Sequence, residues 1–84
     1  MNDSPQPDLT LDARGLECPL PILRTRAAVA DMQAGQQLRV LCTDPHAEMD
    51  FEAFCARFRH PLLSVEQHGE EWHFRIEIGP HPQR

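Results

Sequence analysis

The chain contains no lysine: all eight of its basic residues are arginines. Schiff-base chemistry and lysine nucleophiles are thereby excluded. It has only three cysteines, Cys18, Cys42 and Cys55, and no two of them are closely spaced. A CxxC dithiol and a zinc knuckle are therefore absent. An odd number of scattered thiols fits a reducing compartment, so a cytoplasmic location is expected. No apolar run approaches the length of a membrane span. Met1 to Asp8 is polar and lacks the apolar core of a secretory leader, so neither export nor membrane association is expected. Positive charge is also scarce. The net charge is -5, the wrong sign for general affinity to a phosphate backbone, and no direct nucleic-acid binding is expected. The same charge favours docking to basic protein surfaces. In 84 residues there is little room for an enclosed substrate pocket with a catalytic shell around it. Function is expected at the surface or at the end of one element.

What is present is one core's worth of apolar residues, 40% of the chain, in patterns that alternate between periods of two and 3.6. Residues 1–8 and 80–84 read as disordered tails around a single domain over 9–79. Leu9, Leu11 and Ala13 alternate with Thr10 and Asp12 as a short strand. Arg14-Gly15 breaks it, and a helix is expected from Pro19 to about Gln33, ended by Ala34-Gly35. Pro19 suits the first helical position, which makes Cys18 the N-cap. Two stripes compete on this helix: Ile22, Thr25, Val29 and Met32, and Leu20, Leu23, Ala27 and Ala30. One sheet face cannot bury both, so part of the second is a candidate docking patch. Gln37 to Cys42 reads as a second strand. A second helix is expected with Asp44 as N-cap and Pro45 at its first position, burying Phe51, Phe54, Cys55 and Phe58 and ending at His60-Pro61. Leu62 to Gln67 and Trp72 to Ile78 complete a hairpin. The order β-α-β-α-β-β predicts an α/β two-layer sandwich, a four-stranded mixed sheet with two helices on one face.

Cys18-Pro19-Leu20-Pro21 is the segment that carries chemistry. A thiol at a helix N-terminus meets unpaired N–H groups and the positive end of the macrodipole, and both favour the thiolate. Pro19 and Pro21 fix the backbone so that the sulfur is presented. Glu17 opposes the shift and Arg14 can offset it, so a moderately lowered thiol pKa is expected. No histidine is placed by sequence to act as a base for hydrolysis, whereas carrying a sulfur needs only an exposed nucleophilic cysteine and a docking face.

The run from Leu11-Asp12-Ala13-Arg14-Gly15 through Leu16-Glu17-Cys18-Pro19-Leu20-Pro21-Ile22-Leu23 resembles the signature of the TusA/SirA-like sulfurtransferase family. Asp44-Pro45, Asp50 and the closing hairpin resemble it as well, over about residues 9–78. A CPxP element behind an Asp-x-x-Gly turn is specific in this setting. The resemblance implies the same sandwich and a persulfide on Cys18. It implies a cysteine desulfurase or rhodanese-like protein as sulfur donor. The acceptor would be a relay protein serving tRNA thiolation, molybdenum cofactor synthesis or sulfur oxidation. Arg26 matches a basic position for partner contact, and Asp44 and Asp50 match acidic ones. Leu20 and Leu23 join them as expected docking residues. Many relatives carry lysine in the first helix where this chain has Arg24, and the two side chains dock differently. The carrier is expected to be a monomer without cofactor or metal; calling it an enzyme is partly convention, since it is a substrate of its partners.

The plainer readings are specific. Cys18 could serve only as a cap in an interaction or regulatory module, or as a redox-sensing thiol. Cys42 and Cys55 read as small core residues, Asp44 as a helix cap, and Arg26 as a solvated side chain. The histidines are expected at the surface, and His60, His68 and His73 lack any recognised metal-ligand spacing. Trp72 and the phenylalanines belong to the core.

Overall fold

A computed structural model describes residues 6–80 of the chain. Of the two expected tails, residues 1–5 and 81–84 lie outside the described residues. The elements follow the expected order: β1 (Leu9–Ala13), α1 (Leu20–Ala30), β2 (Gln37–Cys42), α2 (Ala47–Phe58), β3 (Leu62–His68) and β4 (Glu71–Glu77). They form one four-stranded mixed sheet in the order β1-β2-β4-β3. β1 runs parallel to β2, and β4 pairs antiparallel with both β2 and β3.

Register follows from burial. Leu38 and Val40 of β2 stand opposite Ile76 and Phe74 of β4, and all four are essentially inaccessible to solvent. A slip by one residue would turn this whole set out to water. Against this face pack Val29 and Met32, from α1 and the turn after it, and Phe51, Phe54 and Cys55 from α2. Phe51 stacks on Phe74 with ring centroids 4.5 Å apart, a contact worth about 0.5–1.5 kcal/mol beyond its buried area. The opposite face of the sheet is polar, carrying Arg39, Glu66, His68, Glu71 and His73. Leu63 is an extra residue in β3 between the Leu62–Ile76 and Ser64–Arg75 pairs, a bulge that leaves its side chain exposed.

Several boundaries depart from the sequence-based expectation. Helix α1 begins at Leu20 with Pro19 in the N-cap position, so Cys18 lies one residue outside the helix and is not its cap. The helix also ends earlier than expected, at Ala30 with Asp31 as C-cap. Asp44 is not the N-cap of α2 either. The segment first turns, with the Ala47 N–H bonded to the Asp44 carbonyl, and His46 takes the cap position. Asp8, placed by sequence in the tail, exchanges two bonds with β2: its N–H donates to the Gln37 carbonyl and its carboxylate accepts the Gln37 N–H, both at 2.8 Å. His60, expected at the surface, is buried. Its Nδ1 accepts the Gly79 N–H at 2.9 Å, which fastens the end of the sheet to the turn after α2.

Candidate functional site

Because β1 and β2 are parallel and Ala13 is in register with Cys42, the chain leaves both strands at the same edge. The two loops that follow lie side by side, and each leads into a helix. They are tied together by two backbone-to-side-chain bonds. The Gly15 N–H donates to Thr43 Oγ1 at 2.9 Å, and the Cys18 N–H donates to Asp44 Oδ2 at 2.8 Å. Gly15 has φ of +82°, a conformation that a residue with a side chain rarely adopts. The Asp44 carboxylate also accepts the His46 N–H, at 3.0 Å through Oδ1. This buried carboxylate therefore fixes the loop ahead of α1 and the turn ahead of α2 at once.

Cys18 is exposed, and its peptide bond to Pro19 is cis. Its Sγ, a carboxylate oxygen of Asp44 and one of Asp50 all lie within 4.8 Å of one another. Asp50 comes from the first turn of α2 and brings a carboxylate oxygen within 4.8 Å of the sulfur. The electrical consequence reverses the sequence-based expectation. The thiol pKa is raised, not lowered: the Asp50 hydrogen bond holds the proton on sulfur, desolvation adds to this, and the charges of Asp50 and Asp44 add further. The helix supplies little compensation. Pro19 and Pro21 have no N–H, and the Leu20 N–H is already bonded to the Glu17 carbonyl at 2.8 Å, so few orphan donors face the sulfur. Arg14 does not offset the acids. Its guanidinium is held by Asp12 at 2.9 Å and Glu71 at 3.3 Å, and this pairing lowers the Asp12 pKa to about 2.

The remaining candidates fall into two groups. Pro21 is buried, and its carbonyl accepts the hydroxyl of the fully buried Thr25 at 2.8 Å, which anchors the first turn of α1. Leu20 and Leu23 stay 44% and 50% exposed, with Ala27 and Ala30 exposed further along the helix. The second stripe of α1 is thus an uncovered apolar surface adjoining the thiol in sequence. Arg26 is exposed, with its guanidinium carbon 5.3 Å from the centroid of the Phe58 ring. That stacking holds the charge against α2 rather than beside Cys18. Met49, which the sequence reading passed over, is 68% exposed one residue before Asp50. The signal was present, since Met49 falls outside the Phe51-Phe54-Cys55-Phe58 stripe.

Cys42 and Cys55 are buried, and burial pushes their thiols up to about 12 and about 11. Neither competes with Cys18 as a nucleophile. A thiol flanked by two carboxylates has the donor chemistry to hold a soft cation as well as a proton. It also presents an accessible sulfur with a proton acceptor within 4.8 Å.

The family model described as "Sulfurtransferase TusA" matches residues 9–78. A protein of Neisseria meningitidis serogroup A named "Putative sulfur carrier protein" is 57% identical over 58 residues, covering 69% of this chain and 78% of that protein. The "Sulfur carrier protein TusA" of Allochromatium vinosum is 43% identical over 70 residues, covering 83% of this chain and 92% of that protein. Among solved structures, a SirA-like protein of Desulfitobacterium hafniense superposes with a TM-score of 0.74 at 24% identity, over 84% of this chain and 97% of that one; this likeness speaks for the fold.

Proposed function

The chain belongs to the TusA sulfurtransferase family, and we propose that it carries sulfane sulfur as a persulfide on Cys18. The observation that carries this reading is the exposed Cys18 thiol with carboxylate oxygens of Asp44 and Asp50 within 4.8 Å, at the junction of two helix-leading loops.

In the transfer step Cys18 Sγ attacks the outer sulfur of a donor persulfide. A new S–S bond forms at Cys18, the donor's S–S bond breaks, and the donor leaves as a thiolate. The Cys18 proton passes to the Asp50 carboxylate and from there to the departing thiolate, so no external oxidant or reductant is required. An acceptor thiolate then attacks the outer sulfur, and Cys18 leaves and is reprotonated. At rest the two carboxylates keep Cys18 protonated and weakly nucleophilic. A donor with a basic surface neutralises them on docking, which lowers the thiol pKa when the sulfur is presented. Leu20, Leu23 and Met49 supply apolar contact and Arg26 a charge for such docking. The donor is a cysteine desulfurase or rhodanese-like protein and the acceptor a relay protein, in the reducing cytoplasm where three free thiols persist. Among the described residues no helix is long and apolar enough to cross a membrane.

A pulse–chase tests the carrier role. The chain is loaded with radiolabelled sulfur by a cysteine desulfurase, freed of donor, and mixed with an excess of small-molecule thiol. Label that leaves only on addition of thiol supports a carrier; label that never enters, or cannot be chased, refutes it.

A further inference from the structure

The face of the sheet remote from the helices carries a second cluster that the sulfur chemistry does not use. Glu66 of β3 is directly opposite His73 of β4, and His68 is opposite Glu71. Cross-strand partners project from the same face, so two imidazoles and two carboxylates meet near the end of the β3–β4 hairpin. His68 Nε2 donates to Glu66 Oε1 and His73 Nε2 donates to Glu71 Oε1, both at 3.1 Å. The two rings are 4.6 Å apart between centroids. One ligand atom each from Glu66, His68 and His73 already lies within 4.8 Å of the other two.

We propose that this cluster is a binding site for a divalent transition-metal ion of the zinc type, with His68, His73 and Glu66 as ligands and Glu71 orienting the His73 ring. Imidazole nitrogens select such ions over magnesium or calcium, and two histidines with one carboxylate leave a fourth tetrahedral position open to water. Ligand atoms about 2.0–2.2 Å from zinc stand roughly 3.3 Å from one another in a tetrahedron, so the cluster must contract by a small rotation of side chains. His68 has the freedom to do so, being 57% exposed. A carboxylate bonded to the second nitrogen of a ligating histidine is the usual outer support of such sites, and Glu71 stands in that relation to His73. Glu71 is itself steadied by Arg14 at 3.3 Å.

One group opposes the ion. Arg39 donates to His73 Nδ1 at 3.3 Å, so its guanidinium supplies the positive charge a metal would replace. Binding through the unprotonated Nδ1 of His73 displaces Arg39 and leaves the Nε2 proton on its bond to Glu71, while His68 loses the proton of its coordinating nitrogen if that nitrogen is Nε2. This competition gives the site a distinctive signature, because removing a side chain that contributes no ligand should strengthen it.

The test is calorimetric titration of the full chain with zinc chloride at pH 7.5. Cys18→Ser is used throughout, so that the thiol–carboxylate cluster loses its sulfur ligand. One zinc per chain is expected. His68→Gln and His73→Gln should each abolish the binding or weaken it at least tenfold, and Glu71→Gln should weaken it about tenfold. Arg39→Gln should tighten it. All these positions are on the face of the sheet remote from the helices, and circular dichroism confirms that each variant is folded. Absence of zinc uptake overturns the proposal. So does uptake that survives loss of both histidines, or an Arg39→Gln variant that binds more weakly.

Discussion

Asp44 accepts the backbone N–H of Cys18 at 2.8 Å across 26 residues of sequence. With its second oxygen on the His46 N–H, it joins the two loops that surround the thiol. It is only 7% exposed, so its loss would leave two backbone donors without their partner. Asp44→Ala should destabilise the fold by about 1–3 kcal/mol, a fall in Tm of about 4–8 °C for each kcal/mol at this chain length. Asp44→Asn keeps one acceptor oxygen and should lose less.

The same bonds make stability pH-dependent. The His46 and Cys18 N–H groups hold the Asp44 carboxyl below its usual value. A carboxyl with a lower pKa folded than unfolded contributes fully above its unfolded value, about pH 4, and that contribution is lost as pH falls through the folded value. Urea denaturation between pH 6 and pH 3 should show the wild type losing this increment at the acid end. The loss should be smaller in Asp44→Asn. Equal slopes for the two proteins would contradict the assignment.

Asp50 sets the reactivity of the thiol. Because its carboxylate raises the Cys18 pKa, wild-type Cys18 is protonated at neutral pH, and alkylation by iodoacetamide should accelerate as pH rises through the alkaline range. Asp50→Asn should move the whole profile to lower pH, making Cys18 faster at pH 7 while slowing sulfur uptake from a donor protein, which needs the proton acceptor. Cys42 and Cys55 should remain unmodified in the folded chain, since both are buried with their pKa pushed to about 12 and about 11. A profile that Asp50→Asn leaves in place would remove Asp50 from the account.

Much of this fold is legible in the sequence because it rests on local periodicity. The Phe51-Phe54-Cys55-Phe58 stripe and the alternation from Trp72 to Ile78 name the buried faces directly, and the structure buries or half-buries each of these residues. The setting of Cys18 is not legible in that way. Asp44 and Asp50 reach the sulfur only because parallel pairing puts Ala13 beside Cys42, a relation of register that no spacing within either segment reveals. Read locally, Cys18 before Pro19 looks like a thiol at a helix dipole. In the structure the same prolines remove the N–H donors that would have stabilised its thiolate. His60 misled for a related reason: its partner is the Gly79 N–H, 19 residues away, and a histidine beside a proline turn shows no local sign of burial.

Gly79 provides a test of the packing that closes the domain. A Cβ at this position would collide with the Arg59 carbonyl, and the Gly79 N–H is held by His60. The backbone of Arg59, at φ 62° in the helix C-cap, has little room to retreat. Gly79→Ala should cost about 1–3 kcal/mol, read as a lowered urea midpoint without a change in slope. Unchanged stability would mean that this junction is looser than described.

The central claim is that Cys18, among three thiols, carries the sulfur. It is tested most directly by intact-mass spectrometry of the chain after incubation with a cysteine desulfurase and cysteine, with Cys18→Ser in parallel. The account predicts a gain of one sulfur atom on the wild type, removed by reductant, and none on Cys18→Ser. Equal gain on both proteins, or none on the wild type with either a cysteine desulfurase or a rhodanese-like donor, would contradict it.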